Sequence, residues 1–168
     1  MRDQRGFVTM PILLMFLIIA FSAFTILGVS AFGVRKNAVM TYQWFGEALN
    51  FAVDAVTFSR DITATDIADK TPEARQWFTY AFSRMLDATT DGVNFNSQLP
   101  IYDGPIKLTG FRYVPPGTAV YGGNRTATPG YEAVIEVPVS VNVPFIGRQH
   151  ITIPMRQVAV VKPTATAR

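Results

Sequence analysis

The chain has no cysteine and a single histidine, His150, in 168 residues. Without thiols, disulfide frameworks, thiolate zinc sites and cysteine nucleophiles are excluded together. Charge is scarce as well: 16% of residues are charged, with a formal net charge of +3. The positive residues are scattered and form no basic stripe, so a nucleic-acid partner is not expected. Neither a GxSxG nucleophile elbow nor a Walker-type glycine loop occurs. His150 lies in a strand-like segment, where a surface or packing role is expected of it. Asp61, Asp66 and Asp69 share one polar stretch, but they lack the central glycine and terminal glutamate of an EF-hand loop. Asn124-Arg125-Thr126 fits the glycosylation sequon, a pattern too short to carry an assignment. No enzyme, cofactor or metal site is expected.

What the chain does have is a long uncharged opening. From Gly6 to Val34 no residue carries charge, and Arg35-Lys36 close the run. As a helix rising 1.5 Å per residue the run reaches about 40 Å, beyond the ~30 Å hydrocarbon core of a bilayer. A cleaved secretory signal has an apolar region about half as long, and Ser30-Ala31-Phe32-Gly33 supplies only a weak cleavage site. The run therefore reads as a membrane-inserted helix, flanked by Arg2 and Arg5 on one side and by Arg35 and Lys36 on the other. The positive flanks are nearly balanced, and the short N-terminal tail favours an N-in, C-out orientation.

Helical periodicity continues past the basic pair. Tyr42, Phe45, Leu49, Ala52, Val53 and Val56 recur at the spacing of one apolar face, while Gln43, Glu47, Asn50 and Asp54 fall elsewhere. No proline interrupts Ile12 to Asp61, so one helix is expected from about Phe7 to Ser59, with Gly28, Gly33 and Gly46 as soft points. Asp61–Lys70 reads as a polar connection with room for one helical turn. Thr71-Pro72-Glu73 predicts a helix start with Thr71 as the cap. Ala74, Trp77, Phe78, Ala81, Phe82, Met85 and Leu86 give its apolar face, with Thr89–Gly92 as its end. Trp44 and Trp77 are read as packing residues, with Trp44 also placed to touch the membrane surface or a neighbour.

Beyond Gly92 the period becomes two. Pro105–Val114 predicts a strand with a bulge at Gly110. Residues 115–130 form a long polar loop, expected to serve contacts with partners. Tyr131–Val143 places Tyr131, Ala133, Ile135, Val137, Val139, Val141 and Val143 on one side, with Pro138 marking an edge strand or a break. Pro144–Gly147 turns the chain into a last strand, His150–Val161, ahead of a frayed tail. The sequence thus describes an α+β fold: a leader over residues 1–6, a transmembrane helix over 7–36, its amphipathic continuation over 37–60, and an extracytoplasmic domain over 61–168 with a small antiparallel sheet.

The apolar helix also carries more small residues than an anchor needs. Ala20, Ala23, Gly28, Ala31 and Gly33 would let another helix approach closely. A basic leader ending in glycine, then Phe7 and a long apolar helix that emerges as an amphipathic one, resembles the type IV pilin superfamily. The resemblance implies cleavage between Gly6 and Phe7 by a membrane peptidase, self-association through the N-terminal helix into a filament core, and contact with the lipid membrane and with pilus assembly machinery. It also implies a globular domain on the filament exterior. Pro11 stands at the fifth position counted from Phe7, where that family carries a glutamate. GFVTMPILLMFLII, with a proline ahead of the apolar run, is similar to the anchors of tight-adherence (TadE/TadG-like) pilus systems. The expected function is a structural subunit of a pilus-like cell-surface filament. The alternatives are a membrane-anchored minor pseudopilin that assists assembly and a single-pass ligand-binding or sensory protein.

Overall fold

Arg5–Thr57 form a single α-helix, α1, in the computed structural model of the chain. The structure describes residues 5–58, 64–120 and 125–162, and for residues 5–9 and 64–66 the backbone only. Arg2, Ser59, Arg60, Asp61, Asn124 and the tail after Lys162 lie outside the described residues, as do the expectations attached to them. Pro11 sits inside α1 near its start, where a missing donor and a fixed φ disturb the ladder least. None of Gly28, Gly33 and Gly46 interrupts the helix, so the expected soft points are helical. Gly46 has another use. A Cβ there would lie 2.6 Å from Oε1 of Gln157, and its absence lets that side chain donate to the Tyr42 carbonyl at 2.6 Å.

Two shorter helices follow, α2 (Ala64–Asp69) and α3 (Thr71–Met85). Thr71 is not the cap of α3. Lys70 occupies that position without a side-chain cap bond, because α2 delivers the chain already turning. The Thr71 hydroxyl donates backwards, to Ala68 O at 2.6 Å. Lys70 reaches the carbonyl of Val56 at 3.2 Å, placing a cation on the open end of α1. The end of α3 also falls earlier than expected. Asp87 takes a left-handed backbone, φ 47°, and Thr89 and Thr90 belong to a strand.

That strand, β1 (Ala88–Thr90), opens a five-stranded antiparallel meander with β2 (Asn94–Ser97), β3 (Ile106–Val114), β4 (Gly130–Val143) and β5 (Gly147–Val160), in the order β1-β2-β3-β4-β5. The β1–β2 turn is organised by Asp91, whose Oδ1 accepts from the backbone N–H groups of Val93 and Asn94 at 2.8 and 2.6 Å. Oδ2 accepts from the Asn94 side chain at 2.8 Å. The Asn94 donors, then that of Val93, hold the carboxyl down at about 2 from the ordinary 3.8. A depressed carboxylate contributes stability above its unfolded pKa and loses it as pH falls through its folded one. We therefore expect Asp91→Ala to flatten the melting temperature against pH between about 4 and 2, where the native chain still loses stability. An equal slope in both proteins would refute the turn's role.

The core lies between the second half of α1, α3 and one face of the sheet. Phe45, Ala48, Leu49, Ala52, Val53 and Val56 of α1 meet Ala74, Phe78, Ala81 and Phe82 of α3, and both meet Phe95, Ile106, Leu108, Tyr131, Ala133, Ile135, Val137 and Val139 of the sheet. Two expected face residues depart. Tyr42 is 48% exposed and Trp77 is 39% exposed, each at the margin of its helix's buried face. Trp77 instead meets Phe51 and Tyr80 edge-on at 6.1 and 6.3 Å on the surface. Trp44 is half-buried against the core.

Gly110 marks the expected bulge, where the β3–β4 register shifts between Leu108 and Gly110. Pro138 neither ends β4 nor breaks it. β4 pairs with β5 from Gly130↔Val160 to Val143↔Gly147 without a slip, Pro138 opposite Thr152. Odd-numbered positions of this ladder point at β5, as the bond from Val161 N–H to Pro129 O shows. Even-numbered Pro138 points the other way, past the last paired residue of β3, Lys107, and its carbonyl accepts from Asp103 N–H at 3.1 Å. Its missing donor therefore costs no ladder bond. On the outer face Glu132 is buried at 2% exposure, covered by Arg112 from β3 and Arg156 from β5, both of which pair with its carboxylate.

Candidate functional site

Among the described residues, the first half of α1 has no buried side chain. Its most apolar stretch has no buried residue, and the segment is long and apolar enough to cross a membrane. Met10, Phe16, Phe21, Phe24 and Phe32 are each more than 70% exposed. Such a surface exceeds the few hundred Å² of contiguous apolar patch that a water-soluble monomer tolerates. Two of the hydroxyls along it are satisfied within the helix. Ser22 donates to Ile18 O at 2.8 Å and Thr25 to Phe21 O at 2.9 Å, so neither hydroxyl carries an unmet bond into an apolar medium.

The small residues do not form one patch. At 3.6 residues per turn, Ala20, Ala23 and Ala31 fall on the side of α1 that further along faces the sheet. Gly28 lies at the margin of that side and Gly33 opposite. At either glycine an added Cβ would meet no atom within 4 Å. Pro11, Ala31, Arg35 and Lys36 are exposed, and Ala20, Ala23 and Gly33 half-exposed. Arg5, Gly6 and Phe7 belong to α1 by their backbone.

The junction between the free and the built-in half is tight. Val34 and Ala38 already pack against the core. Thr41 is fully buried, donates to Asn37 O at 2.8 Å and shares a 2.8 Å hydrogen bond with the Tyr102 hydroxyl. Burial raises the Tyr102 pKa above its ordinary value, with Thr41 acting in the opposite sense. On the other side of the sheet's inner face, the Tyr131 hydroxyl donates to Ile67 O. Burial, then the charge of Glu73, pushes its pKa up to about 12.

Other features offer less chemistry. A shallow groove of about 610 Å³ runs between Ala38–Gln43 of α1 and Ile153–Arg156 of β5, lined almost wholly by apolar atoms. His150 is largely exposed and pairs with Asp103, as does Arg148 at 2.7 Å. This fits the surface role expected of it. Among the described residues no cluster of three metal-ligating side chains exists. In the 115–130 loop Thr126 is buried, its hydroxyl donating to Pro115 O at 3.0 Å.

Sequence reasoning passed over the most unusual surface of the domain. Phe145 and Ile146, at the tip of the β4–β5 hairpin, are 88% and 70% exposed. Two bulky apolar residues beside Pro144 in a turn are the signal that could have found them. No family model matches this chain, and no curated protein or solved structure shows significant similarity to it.

Proposed function

We propose that this chain is a structural subunit of a pilus-like cell-surface filament, held in the cytoplasmic membrane before assembly. One observation carries the reading: a single helix has no buried residue across its described apolar stretch and is built into a folded core over its other half. Lipid satisfies the uncovered half in the membrane, and the same half of neighbouring subunits satisfies it in a filament. The exchange replaces one apolar environment by another, so packing of small residues and side-chain ridges sets the geometry. The Arg5-Gly6-Phe7 junction supports processing that leaves Phe7 first, and the sheet domain would coat the outside. Pro11 favours a second reading, a minor pseudopilin that stays in the membrane, because a carboxylate is missing where a major subunit would carry one.

Mass spectrometry of the protein extracted from membranes, together with analysis of material sheared from cells, tests both. We expect a mature N-terminus at Phe7 and the chain in sheared filaments. Processing without surface material would shift the assignment to the second reading. An intact Met1-Arg2 terminus would reject both and leave a plain anchor.

A further inference from the structure

We infer that the β4–β5 hairpin tip is a second membrane contact, with Phe145 and Ile146 seated at the headgroup–acyl boundary of the bilayer that α1 enters. The inference rests on the membrane reading of α1 and adds a site to it.

The direction of β5 relative to α1 places the tip. Ile153–Arg156 share a groove with Ala38–Gln43, Gln157 bonds to Tyr42 beside Gly46, and Lys162 approaches Asp54 at 3.7 Å. Rising numbers in β5 thus meet rising numbers in α1, and the two run alongside each other in the same direction. From Gln157 back to Gly147 the strand covers about 33 Å at 3.3 Å per residue. On α1 that length corresponds to roughly 20 residues at 1.5 Å each, which carries the tip past Lys36 and Arg35 to about the level of residues 22–26. The apolar run of about 40 Å outreaches a ~30 Å hydrocarbon core, so a core that begins at Gly6 ends at that level.

The tip itself has the composition for that place. Residues 137–162 contain no Asp or Glu, so lowering the hairpin buries no carboxylate of its own. Asp103, which pairs with Arg148 and His150, is bound at the level of Pro138, about 20 Å up the strand from Phe145. The backbone adds an independent observation. Ile146 N–H closes the turn onto Val143 O at 3.2 Å, and Phe145 occupies the left-handed position with φ 67°. Glycine is the usual residue there, and a bulky side chain is a strained exception. A strained phenylalanine aimed outward, beside an exposed isoleucine, points to an apolar medium that receives both.

Since the chain lacks cysteine, Phe145→Cys carries one environment-sensitive fluorophore on an otherwise native protein. The full chain is reconstituted into vesicles of phosphatidylethanolamine and phosphatidylglycerol containing nitroxide-labelled lipids. We expect a blue-shifted emission that shallow nitroxides quench more strongly than deep ones. Phe16→Cys, about 15 Å along the helix from Gly6 and exposed, is labelled in the same way and reports α1 alone. Deep quenching at Phe16→Cys with a water-like, unquenched label at Phe145→Cys would overturn the inference and leave the anchor intact. Loss of lipid quenching at both would overturn the two together. A blue shift at Phe145→Cys without lipid quenching would give the tip to a second copy of the chain, and would also overturn it.

Discussion

Phe78→Ala is expected to remove about 3–5 kcal/mol of stability, the range for emptying a buried aromatic site. Phe78 is fully buried and is the ring through which the layers touch. It stacks on Phe82 at 5.4 Å, meets Phe45 of α1 edge-on at 5.8 Å, and contacts Phe95 and Phe111 of the sheet at 6.5 and 5.7 Å. Truncation leaves a void bordered by four elements, α1, α3, β2 and β3, none of which can close it without losing its own partners. Domains of this size are stable by only about 5–15 kcal/mol, so the loss is roughly a fifth or more of the total. Urea unfolding of the full chain in mild detergent measures it. Trp77→Ala, at the exposed rim one position earlier, should cost far less. Equal costs for the two would show that the core is not centred on Phe78.

Gly130→Ala should be nearly as damaging, for a reason of backbone. A Cβ on Gly130 would stand 2.0 Å from the carbonyl oxygen of Ala159 and 2.7 Å from the Cα of Val160. Main-chain atoms of a paired strand cannot swing aside, so the ends of β4 and β5 must separate. Two or three ladder bonds at about 0.5–1.5 kcal/mol each are lost with them, the bond from Val161 N–H to Pro129 O included. Glu132, two residues along, is drawn from its arginines. The sum is on the order of 3 kcal/mol. Gly46→Ala is the contrast. There the obstacle is the flexible end of Gln157, and alanine returns about 1 kcal/mol of helix propensity, so little net change is expected. Amide exchange reads both: faster exchange at Val158–Val161 in Gly130→Ala, unchanged in Gly46→Ala. Protected amides in both would refute the close approach.

The elements that sequence made legible are those whose periodicity is long enough to repeat. α1 shows in a run without charge followed by a face at 3.6 spacing. Ala74, Phe78, Ala81 and Phe82 mark α3, and alternation from Tyr131 to Val139 marks β4. Gly110 was legible as a bulge because a glycine between alternating apolar pairs has few other uses. β1 and β2 were not legible: three and four residues, mostly polar, complete no period, and the hairpin depends on the Asp91 side chain. Cross-strand facts were hidden too. Arg112, Glu132 and Arg156 are unrelated along the chain and meet only through the register of three strands. Pro138 misled because the sequence shows a missing donor and not the direction in which it would have pointed. For the candidate site, the uncovered half of α1 was readable from composition. The place of Phe145 and Ile146 was not, since it depends on which way β5 runs beside the helix.

The absence of any linker between the two halves of α1 has a mechanical consequence. A domain tethered by a flexible strap can swivel freely over a bilayer, but here the segment long and apolar enough to cross one continues without a break as a structural wall of the folded head. Sideways drag on the head therefore becomes torque on the apolar segment, and any tilt of that segment re-aims the sheet by the same angle.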